Sequence, residues 1–174
     1  MKKIFLIISL FCLQNSYSQL NLDSLWRVYN DKYQPDTTRL DAMYFIAYDG
    51  YLYSNPDSSF ILAQQMLDFA KKKGLLKYQA YALGTQGSAC YYLGNLELAI
   101  ECHEKSLAIY LEINAKGASA SAYNNIANIY REQGKQADAL AYFMKALRIY
   151  EHMDHKQGIS TVLGNLGLVY GDMG

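Results

Sequence analysis

Two histidines three residues apart are the strongest candidates for chemistry in this chain. His152 and His155 lie in "HMDH", with Asp154 between them. On a helix this spacing brings two imidazoles to one face, where they could bind a metal ion. The alternative is a solvated helix end, where histidine cations suit the negative end of the dipole. No fixed cysteine or carboxylate completes a site, so the sequence favours the helix end and predicts no metal and no cofactor.

Cys90 and Cys102 are the second pair with possible chemistry. In an exported protein the two thiols could be oxidised to a disulfide. Each is also a small apolar residue suited to a packed helix pair, and their separation along the chain does not guarantee the geometry of a disulfide. The sequence therefore favours two free thiols and leaves the disulfide open.

Catalytic and nucleic-acid-binding signatures are weak. The glycine-rich stretch "GTQGSA" lacks the GK[ST] ending of a phosphate loop and lies within a helical pattern. No pairing of a nucleophile with a base stands out. The formal charge is zero and no basic block occurs, which argues against nucleic acid as a partner. The sequence predicts no catalytic residue, and we expect that the chain is not an enzyme.

The first eighteen residues have the layout of a secretory signal peptide. Lys2 and Lys3 precede an apolar run over residues 4–13, and a polar stretch ends at Ser18. The run is too short for a membrane span of roughly 20 residues. We expect cleavage before Gln19 and export, most simply to a bacterial periplasm.

Similar sequence segments recur every forty residues in the rest of the chain. The four related segments are "YFIAYDGYLYS" from Tyr44, "GTQGSACYYLG" from Gly84, "NNIANIYREQG" from Asn124 and "GNLGLVYGDMG" from Gly164. A column of small residues holds Ala47, Gly87, Ala127 and Gly167. A second column holds Ser54, Gly94, Gly134 and Gly174. Because glycine adopts left-handed conformations without steric strain, the second column predicts turns between helices.

Helical periodicity runs through both halves of each unit. In the second half, Ala139, Phe143, Ala146, Leu147 and Tyr150 recur at intervals of three and four, as the buried stripe of an amphipathic helix does. Each unit is therefore predicted to be a helix, a glycine turn and a second helix. The fold class that follows is all-α.

These units resemble the tetratricopeptide repeat family. Its pattern of small, aromatic and turn positions is matched in full by Tyr123, Ile126, Ala127, Tyr130, Gly134, Ala139, Phe143 and Ala146. The preceding repeat has His103 where an aromatic residue is expected. The resemblance implies a right-handed superhelical α-solenoid. The repeats are longer than the usual unit, and in this they resemble the sensor regions of bacterial histidine kinases and regulators.

The predicted organisation has three parts: a signal peptide over 1–18, an N-terminal capping helix over 19–37 and a solenoid of tetratricopeptide-like repeats over 38–174. The repeats are expected at 38–76, 77–116, 117–156 and, incomplete, 157–174. A repeat buries its apolar face only against a neighbour. We therefore expect the natural protein to continue beyond Gly174.

By the same resemblance, the first helix of each repeat lines a concave face that binds a protein or peptide. The residues expected to face this groove are Tyr44, Tyr48, Tyr51, Tyr81, Tyr91, Asn124, Asn128 and Arg131. Aromatic rings would hold apolar side chains and amides would bind the peptide backbone. The alternative, that the tyrosines fill contacts between repeats, carries equal weight. Tyr44 and Tyr48 stand where some relatives carry a lysine and an asparagine that bind a carboxylate, so such a clamp is not supported.

The function that the sequence favours is a scaffold for binding proteins or peptides. The favoured context is the exported sensor region of a membrane signalling protein of the histidine kinase or regulator type. In that case the membrane would be reached only through a segment after Gly174. The alternative is a free-standing periplasmic protein that assembles a complex.

Overall fold

The structure, a computed structural model, describes residues 22–174, and the predicted signal peptide lies outside this range. Within the range all regular structure is helical. Residues 22–30 form α1. The other elements are α2 (Asp36–Phe45), a π-helix (Ile46–Tyr51), α3 (Pro56–Lys72), α4 (Leu76–Tyr92), α5 (Leu96–Glu112), α6 (Lys116–Glu132), α7 (Gln136–His152) and α8 (Lys156–Met173).

Consecutive helices pack against one another from α3 to α8, so each helix is covered mainly by its neighbours in the chain. The helix pairs are α2 with α3, α4 with α5, and α6 with α7. The all-α solenoid predicted from the sequence is confirmed. The helices from α3 to α7 have equal lengths of 17 residues, which reflects the regular period of the sequence.

Small residues allow the paired helices to approach closely. In α6 and α7, Ala127 and Ala139 are fully buried beside Phe143, and all three belong to one apolar cluster. A larger side chain at either alanine would separate the helices, because protein interiors are packed without spare volume. The small-residue columns of the sequence therefore mark the helix–helix contacts.

The turns between helices repeat as well. At Gly94 the amide of Asn95 donates to Cys90 O at 2.9 Å and the amide of Gly94 donates to Tyr91 O at 3.0 Å, which is a Schellman motif. The same pair of bonds recurs at Gly74, Asn114, Gly134 and Asp154. All five of these residues have positive φ. The turns that connect successive repeats thus use the same geometry as the glycine turns within them.

The first repeat departs from this pattern. Its first helix passes into the π-helix, and the chain then turns at Ser54 without a left-handed residue. Gly50 lies in the π-helix, and a Cβ there would stand 3.0 Å from Leu22 Cδ1 of α1. Leu22 is one of the α1 side chains, with Leu25, Trp26 and Tyr29, that pack against the core of this repeat. The π-helix and its glycine therefore accommodate α1.

The last helix, α8, is covered on one side only. Val162, Leu166 and Val169 are buried against the preceding helices. On the other side Leu163 is 51% exposed and Tyr170 is 63% exposed. No helix in the range 22–174 has the length and apolarity needed to cross a membrane.

Candidate functional site

Two adjoining cavities lie where the first helices of three successive repeats face one another. The larger has a volume of about 450 Å³ and is lined by α2, α4, α5, α6 and the π-helix. The smaller cavity has a volume of about 250 Å³ and is lined by the π-helix with the turn that follows it, and by α4, α5 and α6. The two share Tyr48, Ser88, His103 and Asn125, and together they form what we call the groove.

One side of the groove is aromatic. This aromatic wall consists of Tyr44, Phe45, Tyr48 and Tyr81. The Tyr44 ring stacks on Tyr48 at 5.5 Å between centroids and lies 5.1 Å from Tyr81. Burial raises the pKa of Tyr48 to about 12, and a hydrogen bond with the Tyr53 hydroxyl adds to the shift. The wall therefore offers chiefly ring faces.

The π-helix gives Tyr48 its position at the centre of the wall. Tyr48 lies within it and is the one residue of the aromatic wall that lines both cavities. Single-turn π segments inside α-helices often occur at functional sites, because the additional residue changes where side chains point. No period-based interpretation of the sequence signals this local change.

The opposite side of the groove is polar. It is formed by Ser121, Asn125 and Asn128 of α6, which we call the polar wall. The Asn128 side chain donates to Asn124 O at 3.0 Å, and Ser121 Oγ lies 2.8 Å from the hydroxyl of Tyr150. Asn125 is exposed, and no hydrogen bond from its side chain occurs within residues 22–174. It is therefore the amide of this wall most available to a ligand, although sequence reasoning did not select it.

His103 of α5 lies at the floor, between the two walls, and lines both cavities. Its side chain is 3% exposed, and burial lowers its pKa to about 4. At neutral pH the imidazole is uncharged, with one donor and one acceptor nitrogen. Gly87 makes room for it, since a Cβ at this position would stand 2.7 Å from His103 Cδ2. The sequence feature that could have indicated this position is His103 itself, which stands where the repeat normally has an aromatic residue and lies against Gly87.

Charged groups lie near the larger cavity in equal number. Burial raises the pKa of Tyr78 to about 12, and the hydrogen bond that its hydroxyl donates to Asp41 adds to the shift. Lys77 Nζ stands 5.2 Å from the centroid of the Tyr81 ring and 5.5 Å from that of Tyr78. Because one carboxylate and one ammonium line this cavity, it has no net formal charge.

Five of the eight residues predicted to face a ligand line the groove. Tyr44, Tyr48 and Tyr81 line the larger cavity, whereas Tyr91 and Asn128 line the smaller one together with Tyr48. The two interpretations of the tyrosines are not exclusive, because Tyr44 and Tyr81 also pack against the core of the first repeat. These side chains are half-buried, with one part in a repeat contact and another facing the groove.

The other three predicted residues lie outside the two cavities. Tyr51 packs against the core of the first repeat. The side-chain oxygen of Asn124 accepts from Asn165 Nδ2 at 2.9 Å, which joins α6 to α8. Arg131 follows the lining residues of α6 by one turn and contributes to neither cavity.

The histidine pair is part of a helix connection. His152 ends α7 and is exposed. The Nδ1 atom of His155 accepts from the Gly158 amide at 3.0 Å and so caps α8, while its ring stacks on Tyr150 at 5.2 Å. Within the described residues no group of three or more His, Cys, Asp or Glu side chains is placed to hold a metal ion.

Cys90 and Cys102 are both buried and free in the structure. Burial raises the pKa of Cys90 to about 11, and the neighbouring Cys102 thiol contributes to that shift. A thiol with so high a pKa is a poor nucleophile at neutral pH, because the thiolate is the reactive form. In this state the pair belongs to the packing between α4 and α5.

Comparison with known proteins bears on the fold and on the repeats. Residues 78–152 match the family model of the tetratricopeptide repeat. The crystal structure of BtubC (BKLC) from P. vanneervenii superimposes with a TM-score of 0.72 at 20% sequence identity, covering 90% of this chain and 65% of that one. No curated protein matches the sequence. Tetratricopeptide repeats generally bind proteins or peptides and are typically non-enzymatic. The resemblance to tetratricopeptide repeats seen in the sequence is thus confirmed over residues 78–152.

Proposed function

We propose that this chain is a scaffold that binds an extended segment of a partner protein in the groove, on the concave side of the solenoid. The observation that carries this proposal is the pairing of the aromatic wall with the polar wall across a cavity of about 450 Å³. That volume falls in the range of about 300–1,000 Å³ typical of ligand sites.

The two walls suit the two chemical parts of a peptide. Ring faces bind apolar side chains, and buried aromatic residues are the usual energetic anchors of interfaces. The Asn125 side chain can donate to a peptide carbonyl and accept from a peptide amide. A segment lying along the groove would therefore have partners for its side chains on α2 and α4 and for its backbone on α6.

We further propose that the scaffold is the exported sensor region of a bacterial membrane signalling protein of the histidine kinase or regulator type. Two sequence features support this: the signal-peptide layout of residues 1–18 and the forty-residue length of the repeats. A free-standing periplasmic scaffold is the alternative, and it shares both features.

Selection from a random library of short peptides tests the binding function. The immobilised protein, as it remains after removal of the signal peptide, is the target. A Tyr44→Ala/Tyr48→Ala variant is the counter-target. The matched control is Tyr33→Ala, which alters a tyrosine that is 99% exposed and lines neither cavity. We expect peptides that bind the wild type and Tyr33→Ala but not the double variant. If every enriched peptide binds all three proteins equally, the groove is not the binding site.

Cell fractionation tests the context. An antibody against this chain should detect it in the membrane fraction, released only by detergent, if it is part of a membrane sensor. Release by osmotic shock would instead identify the free-standing periplasmic protein. Recovery with cytoplasmic markers would contradict export in either form.

A further inference from the structure

We propose that the larger cavity of the groove binds one uncharged aromatic side chain that carries its own hydrogen-bonding group, a tyrosine or a tryptophan of the bound peptide, and that His103 selects for it. This inference rests on the proposed function, since it names the class of peptide that the groove takes.

The shape of the cavity favours an aromatic occupant. The stacked pair Tyr44 and Tyr48 and the tilted ring of Tyr81 present faces and edges to the same space. Aromatic pairs prefer offset stacked or edge-to-face arrangements at centroid distances of about 4.5–7 Å, and such pairs contribute attraction beyond the area that they bury. A ring from the ligand can adopt such an arrangement with several of these residues at once.

The charges of the cavity favour a neutral occupant. A cationic side chain would meet Lys77 as well as Asp41, and an anionic one would meet Asp41 as well as Lys77, so neither sign gains a net partner. Both would also leave water for a space whose floor is an uncharged imidazole. Burial of a charge without a partner is strongly unfavourable, because the charge loses its hydration.

Two polar groups that line both cavities on α4 and α5 remain available, the hydroxyl of Ser88 and the imidazole of His103. The hydroxyl of Ser106 donates to Ala80 O at 2.8 Å, and that of Thr85 donates to Tyr81 O at 3.0 Å. No hydrogen bond to the His103 ring occurs among residues 22–174, and its nitrogens are not among the buried polar atoms that lack a partner there. The imidazole is therefore reached from the cavity, where it can donate to or accept from a ligand group.

Comparison with the next repeat shows that the fold itself does not need this imidazole. The residue forty positions later is Phe143, which is fully buried against Ala127. His103 has Gly87 in place of that alanine, and its ring lies so close to α4 that a Cβ there would stand 2.7 Å away. A polar ring therefore replaces an apolar one at a repeat where the column lines the two cavities of the groove.

The test uses peptides from the selection described above, resynthesised with Trp, Tyr, Phe or Leu at the aromatic position. Affinities are measured for the wild type and for His103→Phe, which keeps a ring at that position and resembles the next repeat. We expect the wild type to favour Trp or Tyr over Phe by about two- to tenfold, the range of one net hydrogen bond. In His103→Phe this preference should disappear while the preference for Phe over Leu remains. A loss of packing alone would weaken all four peptides equally.

A second measurement needs no variant. Titration of the wild type with p-cresol and with toluene, followed by NMR, should shift the imidazole proton signals of His103 with p-cresol more than with toluene. Equal shifts, or none with either compound, would overturn the role of His103.

The outcomes separate the two proposals. Groove-dependent peptides without any aromatic residue would overturn this inference and leave the binding function standing. An absence of groove-dependent peptides would overturn both. Enrichment of peptides with lysine or aspartate in place of the aromatic residue would show that the cavity accepts a charge, contrary to the inference.

Discussion

Tyr48 is the side chain on which the binding account depends most. It joins the two cavities, so its removal opens the aromatic wall at the centre. We expect Tyr48→Ala to weaken the binding of a selected peptide by about 2 kcal/mol, the size of an interface hot spot. Arg131→Ala should weaken it much less, because Arg131 lines neither cavity. Calorimetric titration measures both, with circular dichroism to verify helicity. Equal losses in the two variants would contradict the geometry described.

The buried His103 makes stability depend on pH. Its pKa falls from 6.5 to about 4 on folding, because burial disfavours the imidazolium. Between these values the unfolded chain takes up a proton that the folded chain does not. The contribution of the neutral His103 ring to the free energy of unfolding is therefore complete above pH 6.5 and is lost as the pH falls toward 4. At about 1.36 kcal/mol per pKa unit the loss is about 3 kcal/mol.

Urea unfolding at about pH 7 and about pH 4.5 tests this dependence. Most of the loss should already be visible at the lower pH. The His103→Phe variant is the control: it retains the contribution of the carboxylates, which titrate in the same range, but lacks the imidazole. A wild type and a variant with the same pH dependence would show that His103 is accessible to protons in the folded state.

Two glycines of one column should respond oppositely to alanine. In Gly87→Ala the new Cβ would meet the His103 ring at 2.7 Å, and we expect a loss of about 1–2 kcal/mol in the free energy of unfolding. At Gly167 no atom lies within 4 Å of a Cβ, so Gly167→Ala should gain about 0.5–1 kcal/mol through helix propensity. Chemical denaturation measures both. The same sign of change in the two variants would refute the close contact at His103.

At the scale of the elements, the Schellman turns set the spacing of the repeats. Gly134 has φ of +72°, where an alanine would be strained by about 1–2 kcal/mol. Asp154 has φ of +50° and already bears that strain. We therefore expect Gly134→Ala to lower the melting temperature and Asp154→Gly to raise it, each by a few degrees, at roughly 2–4 °C per kcal/mol for a chain of this size. Calorimetry measures the melting temperatures of both variants. A lower melting temperature for Asp154→Gly would show that the Asp154 side chain stabilises the fold by more than its strained backbone destabilises it.

Periodicity explains why the helices and the within-repeat turns could be predicted. A helix pair recurs with small residues at its contacts and glycine at its turn, and these choices are visible in single columns such as Ala47, Gly87 and Ala127. The π-helix could not be predicted, because it changes one local hydrogen-bond pattern without changing the residue types. The turns at Asn114 and Asp154 were missed because non-glycine residues occupy the left-handed position.

The groove was predictable only in part, for a related reason. The position of a residue in the repeat predicts which side of its helix the side chain lies on. It does not predict whether another side chain already binds it there. Asn124 is bound by Asn165, whereas Asn125, one position along, is open. His103 was noticed as an exception to the aromatic column, yet only the structure places it at the floor of a cavity.

At the scale of the whole molecule, stability in a solenoid is a sum over neighbouring repeats. The helix α8 has such a neighbour on one side, and on its other side Leu163 and Tyr170 are largely exposed. We expect its amides to exchange hydrogen much faster than those of α4, α5 and α6, since local opening there exposes little further apolar surface. Amide hydrogen exchange of the protein tests this difference between the helices. Equal protection of the amides in α8 and α5 would contradict the prediction.

The central claim is that the groove between α2, α4 and α6 binds a peptide. The most direct test is NMR of the isotope-labelled protein, titrated with a peptide from the selection. We predict that the largest shifts of amide and side-chain signals fall on Tyr48, Ser88, His103, Asn125 and Asn128, which line the smaller cavity or both. Shifts concentrated instead on the exposed residues of α3, α5 and α7 would place the binding surface on the opposite side of the solenoid and contradict the account.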